Sequence, residues 1–363
     1  MWWRWFPWRL VVSRVARARG FVDPVQILSR LESFAQPIEV KEPIELLRAG
    51  LVFHARGLLN TGAIQHNLDW IWPYWVERQY NPEDVAFIPR AFSITHVNLT
   101  HRNWTAVGLP DCDELPIIDP RGLLTPFWDG WPLDSWIVAA DGRRLVPSQL
   151  DTVEQSLDLT PGMAVITRSV HTGLALVSRV DVREEDGVAV CWLEVTAQSD
   201  STAWLVVALR PYNPEGVSFI HDIALASDAA GWRVNRRHVV RFDPPAEQYR
   251  CSDYRGGDVH TRLCESSAPR SVRCHVGMAT AAALFPIEAG RPQRVRVRVP
   301  LEQASPPLRA HRPRSSWQEA LRGAAPACLP ERHFQYLYEA AVYSLVLHTP
   351  GEVYPGPYTY KRF

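Results

Sequence analysis

Between residues 133 and 303 the chain is written almost entirely in strand-like runs, and no segment of helical period separates them. The runs are residues 137–146, 164–167, 175–182, 188–196, 204–209, 217–224, 232–242 and 272–285. Asp141-Gly142 lies between the apolar arms of the first run, which is a strong hairpin signal. Glu184-Glu185-Asp186-Gly187 joins the third run to the fourth. Further on, Val295, Val297 and Val299 alternate with Arg294, Arg296 and Arg298, so one face is buried and the other basic. Strands at this spacing make a large antiparallel β-sandwich, and the expected fold class is mainly β. The basic row reads as a solvated strand face rather than a phosphate or nucleic-acid site.

The flanking segments carry different patterns. Residues 1–42 form an N-terminal extension and a helix over 23–35, where Asp23 caps, Pro24 opens, and Ile27, Leu28, Leu31 and Phe34 share a face. The first twenty residues hold five arginines, four tryptophans and no acid. Arg4 and Arg9 break up any signal-peptide core, and Pro7 cuts the only candidate amphipathic helix short. This stretch therefore reads as an extension that packs or frays, with membrane-surface binding as a weaker reading. Residues 43–132 are expected to be an aromatic-rich, irregular segment packed on the sandwich. A second helix starts at Pro43 with Ile44, Leu47, Leu51 and Val52 as its stripe, and loops and short strands follow from Gly57 to Gly130. Residues 304–330 are a Pro/Ala/Arg-rich linker with a short helix around 317–321. Residues 331–363 begin with a helix in which Phe334, Leu337, Tyr338, Ala341, Val342, Leu345 and Val346 fall on one wide stripe. Such a stripe calls for further helices to cover it.

Charge and motif content narrow the function. Thirty-nine basic and thirty-nine acidic residues cancel, which argues against a global nucleic-acid footprint. Six scattered cysteines without a CxxC pair point to reduced thiols and a cytoplasmic protein. Cys251, His260, Cys264, Cys274 and His275 match no zinc spacing, and His96 and His101 would face opposite sides of a strand; no metal or cofactor is expected. No apolar run is long enough for a transmembrane helix. The GxGxxG, GxxxxGK[ST], GxSxG and HExxH signatures do not occur. Glycoside hydrolysis needs two carboxylates flanking a bond. Asp69, Asp111, Asp113, Glu114, Asp129, Asp134, Glu184 and Glu185 are available, but none has a context that singles it out, so no catalytic residue is assigned. Fifteen tryptophans suit either sugar stacking or a large β core, and the core is the leading reading.

Three pieces of the chain resemble the front half of a six-hairpin glycosidase of the glycogen-debranching (amylo-α-1,6-glucosidase) or glucoamylase-like kind. Residues 204–223 (WLVVALRPYNPEGVSFIHDI) resemble a strand and turn of the β "supersandwich". Residues 329–348 resemble the first helix of the (α/α)6 toroid that follows it. Pro355-Gly356-Pro357-Tyr358-x-Tyr360-x-Arg362-Phe363 resembles the loop leading to an aromatic-Arg-Asp motif at the sugar site. The resemblance implies the non-catalytic N-terminal portion of a glycoside hydrolase acting on α-glucan-type carbohydrate, with Tyr358, Tyr360 and Arg362 at the rim of a sugar subsite. The Arg-Asp motif and the later catalytic glutamates do not occur in these residues, so the chemistry is expected beyond them and this portion alone is expected to be inactive. The alternative is a carbohydrate-binding or scaffold module without hydrolase activity, in which Trp70, Trp72 and Trp75 stack on an oligo- or polysaccharide.

Overall fold

The computed structural model describes residues 43–88, 96, 98, 104–127, 130–160, 162–265, 269–301 and 314–348, with the backbone alone over 43–54. The helix expected at 23–35 and the residues Tyr358, Tyr360 and Arg362 lie outside these.

Two helices come first, α1 (Pro43–His66) and α2 (Tyr74–Tyr80). Three two-residue strands follow, β1 (Thr105–Ala106), β2 (Ile117–Ile118) and β3 (Leu124–Thr125). The hairpin β4 (Leu133–Ala139) and β5 (Arg144–Leu145) leads to β6 (Glu154–Asp158), β7 (Ala164–His171), β8 (Leu174–Glu185) and β9 (Val188–Ser199). Next are β10 (Ala203–Leu209), β11 (Tyr212–Asn213), β12 (Gly216–Val217) and β13 (Asp222–Leu225). The remaining strands are β14 (Gly231–Val234), β15 (His238–Asp243), β16 (Gln248–Ser252), β17 (Val272–Arg273), β18 (Thr280–Ile287) and β19 (Gln293–Pro300). Helices α3 (Trp317–Leu321) and α4 (Arg332–Leu347) close the described chain.

The strands build two large antiparallel sheets. The first runs β1-β2-β3-β4-β10-β18-β16, with β5 beside β4; the second runs β17-β13-β14-β15-β19-β9-β8-β7-β6. Alternation decides which side chains meet between them. In β10, Leu205, Val207 and Leu209 point inward, paired with Ile137, Ser135 and Leu133 on one side and Phe285, Ala283 and Ala281 on the other. They share a core with Leu193, Val195, Val295 and Val297 of the opposite sheet. The mainly β sandwich expected from the sequence is therefore present. Arg296 and Arg298 on β19 face outward as expected. There Arg296 pairs with Asp243 at 3.5 Å and Arg298 with Glu185 at 3.2 Å.

The first sheet is buried on both faces. Trp136, Val206, Ala208, Ala282 and Leu284 on its outer side form a second core with Ile71, Val146, Val259 and Leu263. That explains why β10 is apolar almost throughout rather than alternating. Helices α1 and α2 add Leu59, Ala63, Ile64, Trp75 and Val76 to the main core, and here the structure departs from expectation. Helix α1 continues through Gly57 to His66, because Leu59, Ala63 and Ile64 recur at helical spacing and are buried. Two glycines and Thr61 hide that period in the sequence, and tertiary packing overrides the weak local preference.

Three expected strands are interrupted. The run 232–242 folds into the hairpin β14–β15, with Asn235 and Arg236 at φ 49° and 60°. No glycine marks that turn, so the run reads as continuous. The run 272–285 breaks at Gly277, whose φ of 78° permits the turn between β17 and β18. The run 217–224 divides between β12 and β13.

Helix α3 is as expected and starts with a capping box between Ser316 and Glu319. Trp317 stacks on Tyr343 of α4 at 4.7 Å between ring centroids. Helix α4 lies along the edge strand β6. Tyr336 and Tyr343 donate their hydroxyls to the carbonyls of Leu157 and Leu159, and Leu347 is buried beside Leu115 and Met163. The opposite face carries Phe334, Leu337 and Leu345, exposed by 55%, 47% and 61%.

Candidate functional site

The place where buried chemistry accumulates is the turn from Asp119 to Leu123, which is driven between the two sheets. Asp119 Oδ1 accepts the backbone N–H groups of Arg121 and Leu123, and the Asp119 carbonyl accepts from Gly122. Gly122 has φ 87°, and a Cβ there would sit 3.3 Å from Ser178 Oγ and Thr167 Cβ. Glycine is thus required both by the left-handed backbone and by the close approach to β7 and β8. Gln155 Nε2 donates to the Asp119 carbonyl and to Thr167 Oγ1, tying the turn to the second sheet. Arg121 donates to the Asp151 carbonyl at 2.9 Å and stacks over Tyr74 at 4.0 Å.

Next to this turn Asp134 projects from β4. Burial pushes its carboxyl up to about 6 and that of Asp119 up to about 7, each against opposing hydrogen bonds. Buried carboxyls raised this far occur at functional sites and in structural networks alike, so the geometry around them decides. Both carboxyls are buried, and the cavity beside Asp134, which Asp119 does not line, measures about 10 Å³, too small for sugar chemistry. A glycosidase pair must admit a glycosidic bond between its carboxyls. Two fully buried carboxyls with so little space beside them cannot flank a saccharide.

A second polar centre organises the layer over the first sheet. Arg210, Tyr212 and Asp258 are fully enclosed: Arg210 pairs with Asp258, donates to Tyr212 and to the Ile71 carbonyl, and Ile71 N–H donates back to Asp258. Burial alone would raise the Asp258 carboxyl, but the Arg210 guanidinium overrides it and holds it well below the usual carboxylate range. The adjoining turn, Asn213-Pro214-Glu215-Gly216, is pinned by side chains from elsewhere. Asn60 accepts from Val217 N–H and donates to the carbonyls of Glu215 and His96, and Asn98 donates to the Pro214 carbonyl. Gly216 has φ 131°, and a Cβ on it would collide with Asn60. These groups knit α1, the tryptophan segment and β10–β12 into one body.

The tryptophans expected to stack on sugar belong to that body. Trp70, Trp72 and Trp75 are 3%, 2% and 4% exposed. Trp70 and Trp72 stack on one another, Trp72 also packs on Tyr212, and the indole N–H groups of Trp72 and Trp75 donate to the carbonyls of Asn67 and Asn213. Their ring faces are taken by protein, so the sugar-stacking expectation is corrected to a core role. Asp69, Asp111, Asp113 and Glu184 are exposed as solvated carboxylates. His96 is buried with its Nδ1 2.7 Å from Gln79 Oε1, and burial lowers its basicity. All six cysteines are free thiols, and among the described residues no group of three or more His, Cys, Asp or Glu is placed to hold a metal ion. Among the described residues no helix is long and apolar enough to cross a membrane.

Asp119 and Arg121 were not signalled by the sequence as site residues. The Asp-Pro-Arg-Gly string marks a turn, but nothing in it tells that the turn is buried between sheets rather than solvated.

No family model and no curated protein matches this chain. Among solved structures it is similar to a bacterial glucoamylase complexed with acarbose, at a TM-score of 0.39 and 9% identity, over 66% of this chain and 37% of that one. It is also similar to a protein from the human microbiome assigned as a kojibiose phosphorylase, at 0.29 and 8%, over 55% of this chain and 25% of that one. A polysaccharide lyase gives 0.28 and 13%, over 56% and 33%. Similarity at this level bears on neither substrate nor activity.

Proposed function

We propose that this chain is the non-catalytic β-sandwich portion of a glycoside hydrolase acting on α-glucan-type carbohydrate, its catalytic carboxylates lying outside these 363 residues. The observation that carries the reading is the order of parts: a two-sheet sandwich, a capped short helix, and an amphipathic helix whose apolar row turns away from the sandwich. A row of Phe334, Leu337, Ala341 and Leu345 at i, i+3, i+7 and i+11 suits packing by further helices. In this reading Tyr358, Tyr360 and Arg362 border a sugar subsite completed by that helical part. A cytoplasmic setting belongs to the same proposal, supported by six free thiols of which four are buried.

The test is hydrolysis. The 363-residue chain incubated with glycogen and an α-glucan panel should release no reducing sugar. Release of sugar, abolished by a carboxylate substitution within these residues, would overturn the proposal.

A further inference from the structure

The turn at Asp119 and the two sheets border a small cavity whose lining combines polar residues with Pro147 and Leu176. Ser135 and Asp134 come from the first sheet, Thr167, Ser169 and Ser178 from the second, and Arg121 from the turn itself. In a sandwich the inward positions of β7 and β8 would ordinarily be aliphatic, as Val165, Leu176 and Val180 are. Three hydroxyls at inward positions therefore need a reason. Arg121 is only 9% exposed, yet its Nε has no protein partner. Thr167 Oγ1 already accepts from Gln155, which leaves its own proton to donate. Ser135, Thr167, Ser169 and Ser178 are 7%, 3%, 2% and 6% exposed.

A buried donor left unmade costs about 1–3 kcal/mol, so an arrangement of this kind is retained when something completes it. A cavity of about 10 Å³ is close to the volume that accommodates one water molecule, and a buried water makes roughly three hydrogen bonds. A monatomic anion could only accept, whereas the lining hydroxyl oxygens can also accept a hydrogen bond. A water both accepts and donates, which matches a lining of mixed character.

We propose that this cavity is a binding site for one ordered water molecule, which accepts from Arg121 Nε and donates to lining oxygens of both sheets. The water fixes the inserted turn to β4 on one side and to β7 and β8 on the other. It is a structural ligand of the sandwich and does not depend on the proposal about glucan hydrolysis.

The test is a crystal structure of the chain, grown with bromide, at a resolution that shows ordered solvent. An oxygen-sized peak within hydrogen-bond distance of Arg121 Nε and of at least two lining oxygens, without anomalous signal, supports the assignment. A bromide anomalous peak makes it an anion site and overturns it, as does a cavity without density. The Ser169→Ala/Ser178→Ala variant should lose the peak; an unchanged peak would overturn the role of the hydroxyls. If that variant does not fold, the wild-type crystal decides alone.

Discussion

Breaking the Arg210–Asp258 pair should be far more damaging than removing both partners together. Both side chains are 0% exposed, so each single substitution strands the other charge. A buried pair broken from one side costs about 3–5 kcal/mol, so Arg210→Met and Asp258→Leu singly sum to roughly 6–10 kcal/mol. The double variant leaves no buried charge behind. It still orphans the Ile71 and His260 N–H groups, which donate to Asp258 at 3.0 and 3.2 Å, while the Ile71 carbonyl keeps the Tyr212 hydroxyl. Orphaned backbone groups cost about 1–3 kcal/mol each, which places the double variant at roughly 2–6 kcal/mol. Mid-range values, roughly 8 against 4 kcal/mol, give a coupling energy of about 4 kcal/mol, read from urea unfolding followed by both tryptophan fluorescence and far-ultraviolet circular dichroism. Coincident transitions are needed for the energies to be meaningful. Additivity within about 0.5 kcal/mol, or a single-variant loss below about 1 kcal/mol, would refute the claim that this pair is a desolvated structural centre.

Three further outcomes are expected. Asp119 titrates near 7 in the folded protein against an ordinary 3.8, so the folded state binds the extra proton and stability falls as pH rises between those values. The loss approaches roughly 4 kcal/mol at about 1.4 kcal/mol per pH unit, with Asp134 adding in the same direction up to about 6. Asp119→Asn keeps the acceptor for both N–H groups and should flatten that slope in a urea midpoint series; a parallel curve would contradict it. On α4, Leu347→Ala should cost about 2–5 kcal/mol because the side chain is 2% exposed. Leu345→Ala on the open face should stay within about 0.5 kcal/mol of wild type in the same unfolding assay. Trp72→Ala should lose about 3–5 kcal/mol as a core truncation, and its retardation in a glycogen affinity gel should equal that of the wild-type chain.

The sandwich was legible because burial on one face of a strand imposes a period of two, which holds over the first nine residues of β8, from Cys191 to Ala197 in β9, and from Arg294 to Pro300 in β19. The turn at Asp186-Gly187 announces itself through the left-handed backbone that glycine favours. The turn at Asn235-Arg236 adopts the same backbone with Asn235 as its one turn-forming residue, a weaker signal than glycine. The layer carrying Trp70, Trp72 and Trp75 failed differently. Aromatic rings look alike in sequence whether they face sugar or protein, and only the contacts with Tyr212, Asn67 and Asn213 decide. Likewise a carboxylate in a Pro/Gly turn reads as solvated. Asp119 is the exception because Gly122 lets the turn press against Thr167 and Ser178. The apolar stripe of α4 was legible as a stripe; which of its neighbours the helix meets was not.

The central claim is that these residues are the sandwich part of an enzyme whose chemistry lies outside them. The most direct check is to read the coding DNA past codon 363. The account requires an in-frame Arg-Asp shortly after Phe363, then a long series of amphipathic helices able to cover Phe334, Leu337 and Leu345. A stop codon immediately after Phe363 would contradict it.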